Sequence, residues 1–195
     1  MRTAVSAALL LAVLRPACAT AATTEPVVVE HNGAGFTVTF NALIDAPPRR
    51  VYEVLTDYSS LPALNPAIVA VSAQAAPDSR GERVRIVLKS CIWLFCRKIV
   101  QVEDVVESDA QTILTRIVSG RGNFKSGWSS WHLTAKGART HLHYEASRVP
   151  DFWIPPLIGP WAVAQSMREQ LEASIPVLER LANQPPGAAP LSGRP

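Results

Sequence analysis

The chain has 195 residues, of which 48% are hydrophobic and 18% charged, and this composition excludes a wholly disordered protein. The length suits one domain once an export signal and a tail are set aside. The formal net charge of +3 falls to about +1 when Arg2 and Arg15 leave with the predicted signal. The sequence also has no basic stripe of the kind that nucleic-acid binding needs.

Residues 1–22 have the pattern of a secretory signal peptide. Arg2 precedes an apolar run from Val5 to Leu14, which is shorter than the roughly 20 residues of a membrane-spanning helix. Small residues on both sides of Cys18 fit a cleavage site, so we expect an exported protein, periplasmic or secreted. A lipid anchor on Cys18 is the alternative, but Arg15 stands where a lipobox has an aliphatic residue.

Hydrophobic periodicity then predicts seven strands and two main helices after a lead-in at residues 23–35. The first helix begins at Pro47 and Pro48, and its apolar stripe ends at Tyr58. The short connections between the later strands favour antiparallel neighbours. The predicted strands cover residues 36–42, 68–74, 83–89, 99–106, 112–118, 124–134 and 140–148.

The longest predicted helix is Trp161–Ala182, which would be roughly 33 Å long at 1.5 Å per residue. We expect Pro176 to kink it. Its predicted buried stripe consists of Ala164, Met167, Leu171, Ile175, Leu178 and Ala182. Residues 183–195 are rich in proline, which predicts a disordered tail.

Cys91 and Cys96 are the two cysteines outside the predicted signal, and they lie at the end of a predicted hairpin. In an oxidising compartment this pair is a candidate disulfide, because the ends of paired strands lie close enough for one. Two free thiols are the alternative, and two cysteines alone cannot complete a four-ligand zinc site.

The segment Val51-Tyr-Glu-Val-Leu-Thr-Asp-Tyr-Ser-Ser-Leu-Pro-Ala-Leu-Asn-Pro66 resembles the first-helix motif of the polyketide cyclase/dehydrase and lipid-transport superfamily, also called START-like or SRPBCC. It is most similar to the coenzyme-Q-binding START-like branch. The resemblance covers residues 36–182 and implies an α+β helix-grip fold, in which a curved seven-stranded antiparallel sheet wraps around a long C-terminal helix. It also implies a cavity between the sheet and that helix for lipids, quinones, sterols or polyketides.

Three connections, residues 91–96, 119–124 and 151–161, should meet at one end of such a sheet, because every second turn of an antiparallel meander lies at the same end. They are rich in large apolar side chains, whereas turns are normally polar. Three interpretations stay open: loops that close the end of the sheet, a ligand portal, or a membrane-touching lip. The candidate portal or lip residues are Trp93, Phe95, Phe124, Phe152, Trp153 and Trp161. Nearby basic residues that could meet anionic lipid heads are Arg97, Lys98, Arg121 and Lys125.

Alternation on the last predicted strand places Tyr144 and Arg148 on its inner face. There they could offer a hydroxyl and a cation to a ligand, although an acidic partner for Arg148 is the alternative. The other candidate ligand-binding residues are Trp131, Met167, Leu171 and Arg116, with the face of Arg116 left open. His132, His141 and His143 are expected together on the outer face, where exposed histidines are commonly polar surface, so we expect no metal; a zinc site made by these three histidines is the weaker alternative.

The sequence thus predicts an exported binding or carrier protein for an apolar ligand such as a lipid, an isoprenoid quinone or a polyketide-like molecule. It contains no nucleophile elbow, phosphate-binding glycine loop or metalloprotease motif, so we assign no catalytic residue and expect no cofactor. One alternative is a cyclase- or dehydratase-type enzyme on the same scaffold. Another is an interaction module that docks a partner protein through its aromatic end. The ligand and the oligomeric state are left open.

Overall fold

A computed structural model describes residues 23–77, 81–92, 95–156 and 159–185. For Ile92 and Phe95 it describes the backbone alone. The predicted signal at 1–22 and the tail beyond residue 185 lie outside the described residues. Within them the strands are β1 (Thr23–Thr24), β2 (Val28–Asn32), β3 (Gly35–Ile44), β4 (Ile68–Ala75), β5 (Glu82–Ile92), β6 (Phe95–Asp109), β7 (Thr112–Ile117), β8 (Phe124–Lys136) and β9 (Arg139–Pro150). The helices are α1 (Pro48–Thr56), α2 (Leu61–Leu64) and α3 (Gly159–Ala182), with a 3₁₀ turn at Tyr58–Ser60.

All the strands belong to one antiparallel sheet with the order β1-β3-β9-β8-β7-β6-β5-β4, and β2 also pairs with β3. This arrangement and the long C-terminal helix confirm the predicted α+β helix-grip fold. No helix in the described part of the chain is long and apolar enough to cross a membrane.

The prediction of seven strands was wrong, because the described chain forms nine. The two additional strands, β1 and β2, lie in the predicted lead-in at residues 23–35 and pair with the free edge of β3. The three consecutive valines before Glu30 show no alternation, so periodicity could not identify a strand there. Pairing with β3 supplies partners for backbone groups that an unpaired sheet edge would expose.

Helix α3 packs its C-terminal half into the core of the domain. Ile175, Leu178 and Ala182 are buried there, as their spacing predicts, whereas Met167 and Leu171 are only partly covered. Helix α3 begins two residues earlier than predicted. Its less covered N-terminal half is the part that faces the candidate site.

Helix α1 and the end of α3 close one end of the domain. The backbone N–H of Asp45 donates to Glu179 at 2.8 Å, and Arg50 Nη2 donates to the carbonyl oxygen of Gln184 at 2.7 Å. Pro48 stands in the first turn of α1, where proline is tolerated because the N–H it lacks would have no intrahelical partner. Any opening to the interior must therefore lie toward the other end, where β9 ends and α3 begins.

Candidate functional site: a cavity between the sheet and helix α3

A cavity of about 800 Å³ lies between the inner face of the sheet and the N-terminal half of α3. Protein sites for small ligands typically have volumes of about 300–1,000 Å³, so the space is large enough for a lipid-sized molecule. Apolar side chains that line it include Phe36, Val38, Leu88, Ile99, Ala146, Met167 and Leu171. Polar or charged side chains that line it are Asn65, Ser90, Arg97, Gln101, Tyr144, Arg148, Ser166 and Gln170.

Stacked aromatic rings lie on the sheet beside the cavity. The ring centroid of Tyr144 lies 4.1 Å from that of Trp131 and 5.2 Å from that of Phe40. Tyr144 lines the cavity, whereas Trp131 is not part of the lining and packs against Tyr144 and the core. Trp131, a candidate ligand-binding residue because of its inward phase, therefore packs against a cavity residue and is not itself part of the lining.

Arg148 forms a buried ion pair with Glu103, and both side chains are only 9% exposed. Arg148 Nη2 donates to Glu103 Oε2 at 3.1 Å, while Arg148 Nη1 donates to the backbone carbonyl oxygens of Trp128 and Ser147. The structure thus selects the acidic-partner alternative for Arg148. A buried charge needs such a partner because desolvation otherwise disfavours it.

Glu103 Oε2 is the centre of a wider hydrogen-bond network on the sheet wall. Gln101 Nε2 donates to it at 2.9 Å and Thr115 Oγ1 at 3.0 Å, and the Thr115 hydroxyl also lies 2.7 Å from that of Ser129. Every buried side-chain nitrogen or oxygen in the described part of the chain has a hydrogen-bond partner. The network is therefore preorganised before any ligand arrives.

Sequence reasoning did not single out Glu103. Strand β6 carries apolar residues in both phases, with Val102 and Val105 both buried, so alternation alone did not show which face points inward. Ile99, Gln101 and Glu103 are alternate residues of one strand, so they share a face of the sheet. This alternation could have placed the Glu103 carboxylate on the inner face.

Arg116, another candidate ligand residue, lies on the outer face of the sheet and does not line the cavity. Its neighbours Thr115 and Ile117 are buried on the inner face, so the alternation of β7 turns Arg116 outward. Met167 and Leu171 line the cavity from α3, together with Tyr144 and Arg148 from β9.

The three predicted outer-face histidines lie on the side of the sheet away from the cavity. His132 and His143 face each other across β8 and β9, and His141 lies two residues before His143. His143 Nδ1 lies 2.7 Å from Asn41 Oδ1, and its Nε2 lies 3.2 Å from Glu145. In the described ranges, no group of three or more His, Cys, Asp or Glu side chains is arranged to hold a metal ion.

The described parts of two connections predicted to meet at one end of the sheet, residues 119–124 and 151–161, do meet there, while the third, 91–96, lies partly outside the described residues. The backbone N–H of Asp151 donates to the carbonyl oxygen of Asn123 at 2.8 Å, which joins the β7–β8 connection to the loop before α3. The Phe152 ring lies 6.5 Å from that of Phe124, centroid to centroid, and the Arg97 guanidinium carbon lies 4.8 Å from the Phe152 centroid. All three of these side chains line the cavity.

Two tryptophans stand at this aromatic end with most of their surface exposed. Trp153 is 78% exposed and Trp161 is 66% exposed, although both also line the cavity. Trp93 and the side chain of Phe95, the other candidates for this end, lie outside the described residues. The described rim therefore exposes large apolar side chains to solvent at the mouth of the cavity.

A disulfide joins Cys91 to Cys96 across the β5–β6 hairpin, as predicted. The next pair along the two strands, Ser90 and Arg97, lines the cavity mouth. The bond therefore holds together two strands that form part of the rim.

Replacing both cysteines with serine is expected to lower the free energy of unfolding by about 2 kcal/mol, the loop-closure term for so short a loop. Urea unfolding followed by circular dichroism measures it. Reductant should destabilise the wild type by a similar amount and leave the serine variant unchanged. Equal stability of the two proteins in oxidising buffer would contradict a stabilising bond.

All three tyrosines of the chain have raised pKa values, and burial is the largest cause in each case. The hydroxyls of Tyr52 and Tyr58 both donate to Glu107 at 2.7 Å. Burial of the Tyr52 hydroxyl and, after it, the nearby Glu107 carboxylate raise the pKa of Tyr52 to about 12. Near Tyr144, Glu103 also raises the pKa while Arg148 and Ser129 lower it.

A tyrosine with a raised folded-state pKa stabilises the fold at pH values below its unfolded pKa of about 10, and this contribution is lost as the pH rises through the folded value. Ultraviolet difference spectroscopy should therefore show little tyrosinate in the folded protein at about pH 10–11, while the urea-unfolded chain titrates near pH 10. Ionisation of all three tyrosines near pH 10 in the folded protein would contradict their raised pKa values.

The fold and the cavity together define the class of protein, which is a helix-grip domain with a largely apolar cavity. The family model described as polyketide cyclase / dehydrase and lipid transport matches residues 35–179, and the chain belongs to this family. A comparison with curated protein sequences finds no significant match.

Solved structures share the fold at low sequence identity. A START superfamily protein from Mycobacterium smegmatis is 17% identical with a TM-score of 0.59, and the match covers 74% of this chain and 98% of that one. The Zhui aromatase/cyclase from Streptomyces sp. R1128 is 16% identical with a TM-score of 0.60, covering 76% and 93%. The STAR-related lipid transfer protein from Xanthomonas axonopodis is 14% identical with a TM-score of 0.57, covering 82% and 100%.

Proposed function

We propose that this protein is an exported carrier that holds an apolar ligand, such as a lipid, an isoprenoid quinone or a polyketide-like molecule, between its sheet and α3. The observation that carries the proposal is the cavity of about 800 Å³, whose lining is mostly apolar. Burial of apolar ligand surface supplies about 25 cal/mol per Å², so such a chamber favours hydrophobic cargo. The family includes proteins of lipid transport and of polyketide cyclisation, which supports the same ligand class.

Export is supported by two independent features. The first 22 residues have the composition of a secretory signal, and the Cys91–Cys96 disulfide suits an oxidising compartment. The carrier therefore meets its ligand outside the cytoplasm, in the periplasm or as a secreted protein.

Equilibrium titration with fluorescent apolar probes tests the carrier directly. A fluorescent sterol, a fluorescent long-chain alcohol and a short-chain quinone used as a competitor cover the proposed ligand classes. We expect saturable binding of one probe molecule per chain and competition between probes. Failure of every probe to bind would overturn the proposal.

A cyclase-type enzyme is the second candidate, favoured by the meeting of three functional groups on one wall. Tyr144 and Arg148 bring together a hydroxyl and a cation that can stabilise an enolate, and Glu103 adds a carboxylate that can accept a proton. Conversion of a linear poly-β-ketone analogue to a cyclic product would support this candidate, and return of the same analogue unchanged would support the carrier.

We propose further that the aromatic end contacts a bilayer while the ligand enters or leaves. Trp153 and Trp161 are exposed at the cavity mouth, and tryptophan favours the membrane interface. Arg97 and Lys98 are exposed at the start of β6 and Arg121 is exposed on the β7–β8 connection, where they can attract anionic lipid headgroups. A mouth that faces the lipid would let an apolar ligand move without crossing water.

The double substitution Trp153→Ala/Trp161→Ala is expected to weaken binding to vesicles of mixed phosphatidylglycerol and phosphatidylcholine by about tenfold, or about 1.4 kcal/mol. Vesicle sedimentation measures this affinity. The matched control is Trp128→Ala, because Trp128 is 44% exposed on the sheet away from the mouth. Equal vesicle binding by the double variant and the wild type would contradict membrane contact at this end.

A further inference from the structure

The cavity wall carries a pair of charges that cancel. Arg148 lines the cavity, and its guanidinium is 3.1 Å from Glu103 Oε2, at side-chain exposures of 9% for both residues. Of the described residues that line the cavity, Arg97 and Arg148 are the charged ones, and Arg97 lies at the exposed rim. The part of the wall around this pair is therefore polar but has no net charge.

A ligand carboxylate has no suitable partner on this wall. To approach Arg148 closely it would also approach Glu103, and the repulsion between like charges is strong where water is largely excluded. Arg148 already makes three hydrogen bonds to protein oxygens, which compete with a ligand carboxylate for its guanidinium. Transfer of an anion from water to this wall is therefore unfavourable.

An uncharged oxygen finds better partners there. Gln101 uses one N–H to bond Glu103, and an amide carries a second N–H and a carbonyl oxygen. Tyr144 lines the same cavity, and its hydroxyl is a group that can donate or accept. Gln101 lies four residues along β6 from Arg97, or about 13 Å at 3.3 Å per residue, so these groups stand well inside the rim.

We propose, resting on the carrier function above, that the ligand presents an uncharged oxygen-bearing group, a hydroxyl or a ketone or quinone carbonyl, to the wall formed by Gln101, Tyr144 and the Arg148–Glu103 pair. Free carboxylic acids are then disfavoured cargo. Glu103 acts as the specificity residue, because it neutralises Arg148, which is the cation inside the rim among the described lining residues.

A matched pair of probes tests this selectivity in the wild-type protein. Pyrene-labelled dodecanol and pyrene-labelled dodecanoic acid differ only in the head group, and at about pH 8 the acid is ionised. We expect the alcohol to bind at least about tenfold more tightly, equal to about 1.4 kcal/mol. An acid that binds as tightly as the alcohol would overturn the inference, and this comparison needs no variant.

The substitution Glu103→Gln tests the role of the carboxylate, because it leaves Arg148 with an uncompensated charge inside the cavity. We expect it to tighten acid binding by about tenfold or more and to change alcohol binding by less than about threefold. The matched control is Asp104→Asn, which removes a carboxylate from the other face of the same strand, where Asp104 bonds Arg83 at 2.7 Å. Unchanged acid binding in folded Glu103→Gln protein would contradict the role of Glu103.

The outcomes separate this inference from the carrier function. If neither probe nor any other apolar compound binds, the carrier proposal fails. If both probes bind equally well, the carrier stands and the selectivity for uncharged head groups is wrong.

Discussion

Replacing Arg148 with methionine is expected to lower the free energy of unfolding by about 3–5 kcal/mol, since the substitution leaves Glu103 buried without its cation. Methionine keeps much of the side-chain volume, so loss of packing contributes little. The carboxylate loses its partner at 3.1 Å and keeps only its neutral donors, Gln101 and Thr115. Urea unfolding followed by circular dichroism measures the change.

A double variant shows whether the instability comes from the unpaired charge of Glu103 or from the lost contacts of Arg148. Adding Glu103→Gln to Arg148→Met removes the stranded charge, so the double variant should recover much of the lost stability, as replaced buried ion pairs often do. The more exposed pair of Asp104 and Arg83 supplies the control, because Asp104→Asn should cost about 1 kcal/mol or less. A loss below about 1 kcal/mol in Arg148→Met would contradict a buried, energetically coupled pair.

Filling the cavity from the sheet is expected to remove ligand binding. Ala146 is buried on the inner face of β9 between Tyr144 and Arg148, and it lines the cavity. A tryptophan in its place would project an indole into the space that the ligand occupies. We expect Ala146→Trp to weaken probe binding by at least about 100-fold, or about 2.7 kcal/mol.

The control for this blockade is Ser147→Trp, which adds the same side chain one residue along the strand. Because alternate residues of a strand face opposite sides, Ser147 points to the outer face and its replacement should leave binding unchanged. Thermal unfolding of both variants checks that they remain folded. Wild-type affinity in folded Ala146→Trp protein would show that the probe binds outside this cavity.

The fold was predictable where local periodicity was unambiguous. Strand β9 alternates cleanly over its whole length, so the inward phase of Tyr144 and Arg148 followed from sequence alone. The spacing of Ile175, Leu178 and Ala182 likewise predicted the buried face of α3. Each of these elements has a single apolar face, so only that face can pack against the core.

Features that depend on tertiary partners were not predictable in the same way. The valines at 27–29 show no alternation, and β2 begins among them, at Val28, because β3 offers an edge. Trp131 lies on the inner face of β8, but its ring packs against Tyr144 and does not line the cavity. This placement depends on how rings of neighbouring strands pack. The partnership of Glu103 with Arg148 joins residues 45 positions apart, and no local pattern encodes it.

Native mass spectrometry of the protein purified from its exported form, with organic extraction of whatever is bound, tests the central claim most directly. The account predicts one apolar molecule per chain, bearing a hydroxyl or carbonyl oxygen, in the wild type and none in Ala146→Trp. A wild-type protein that emerges empty and binds none of the sterol, alcohol and quinone probes would contradict a carrier function.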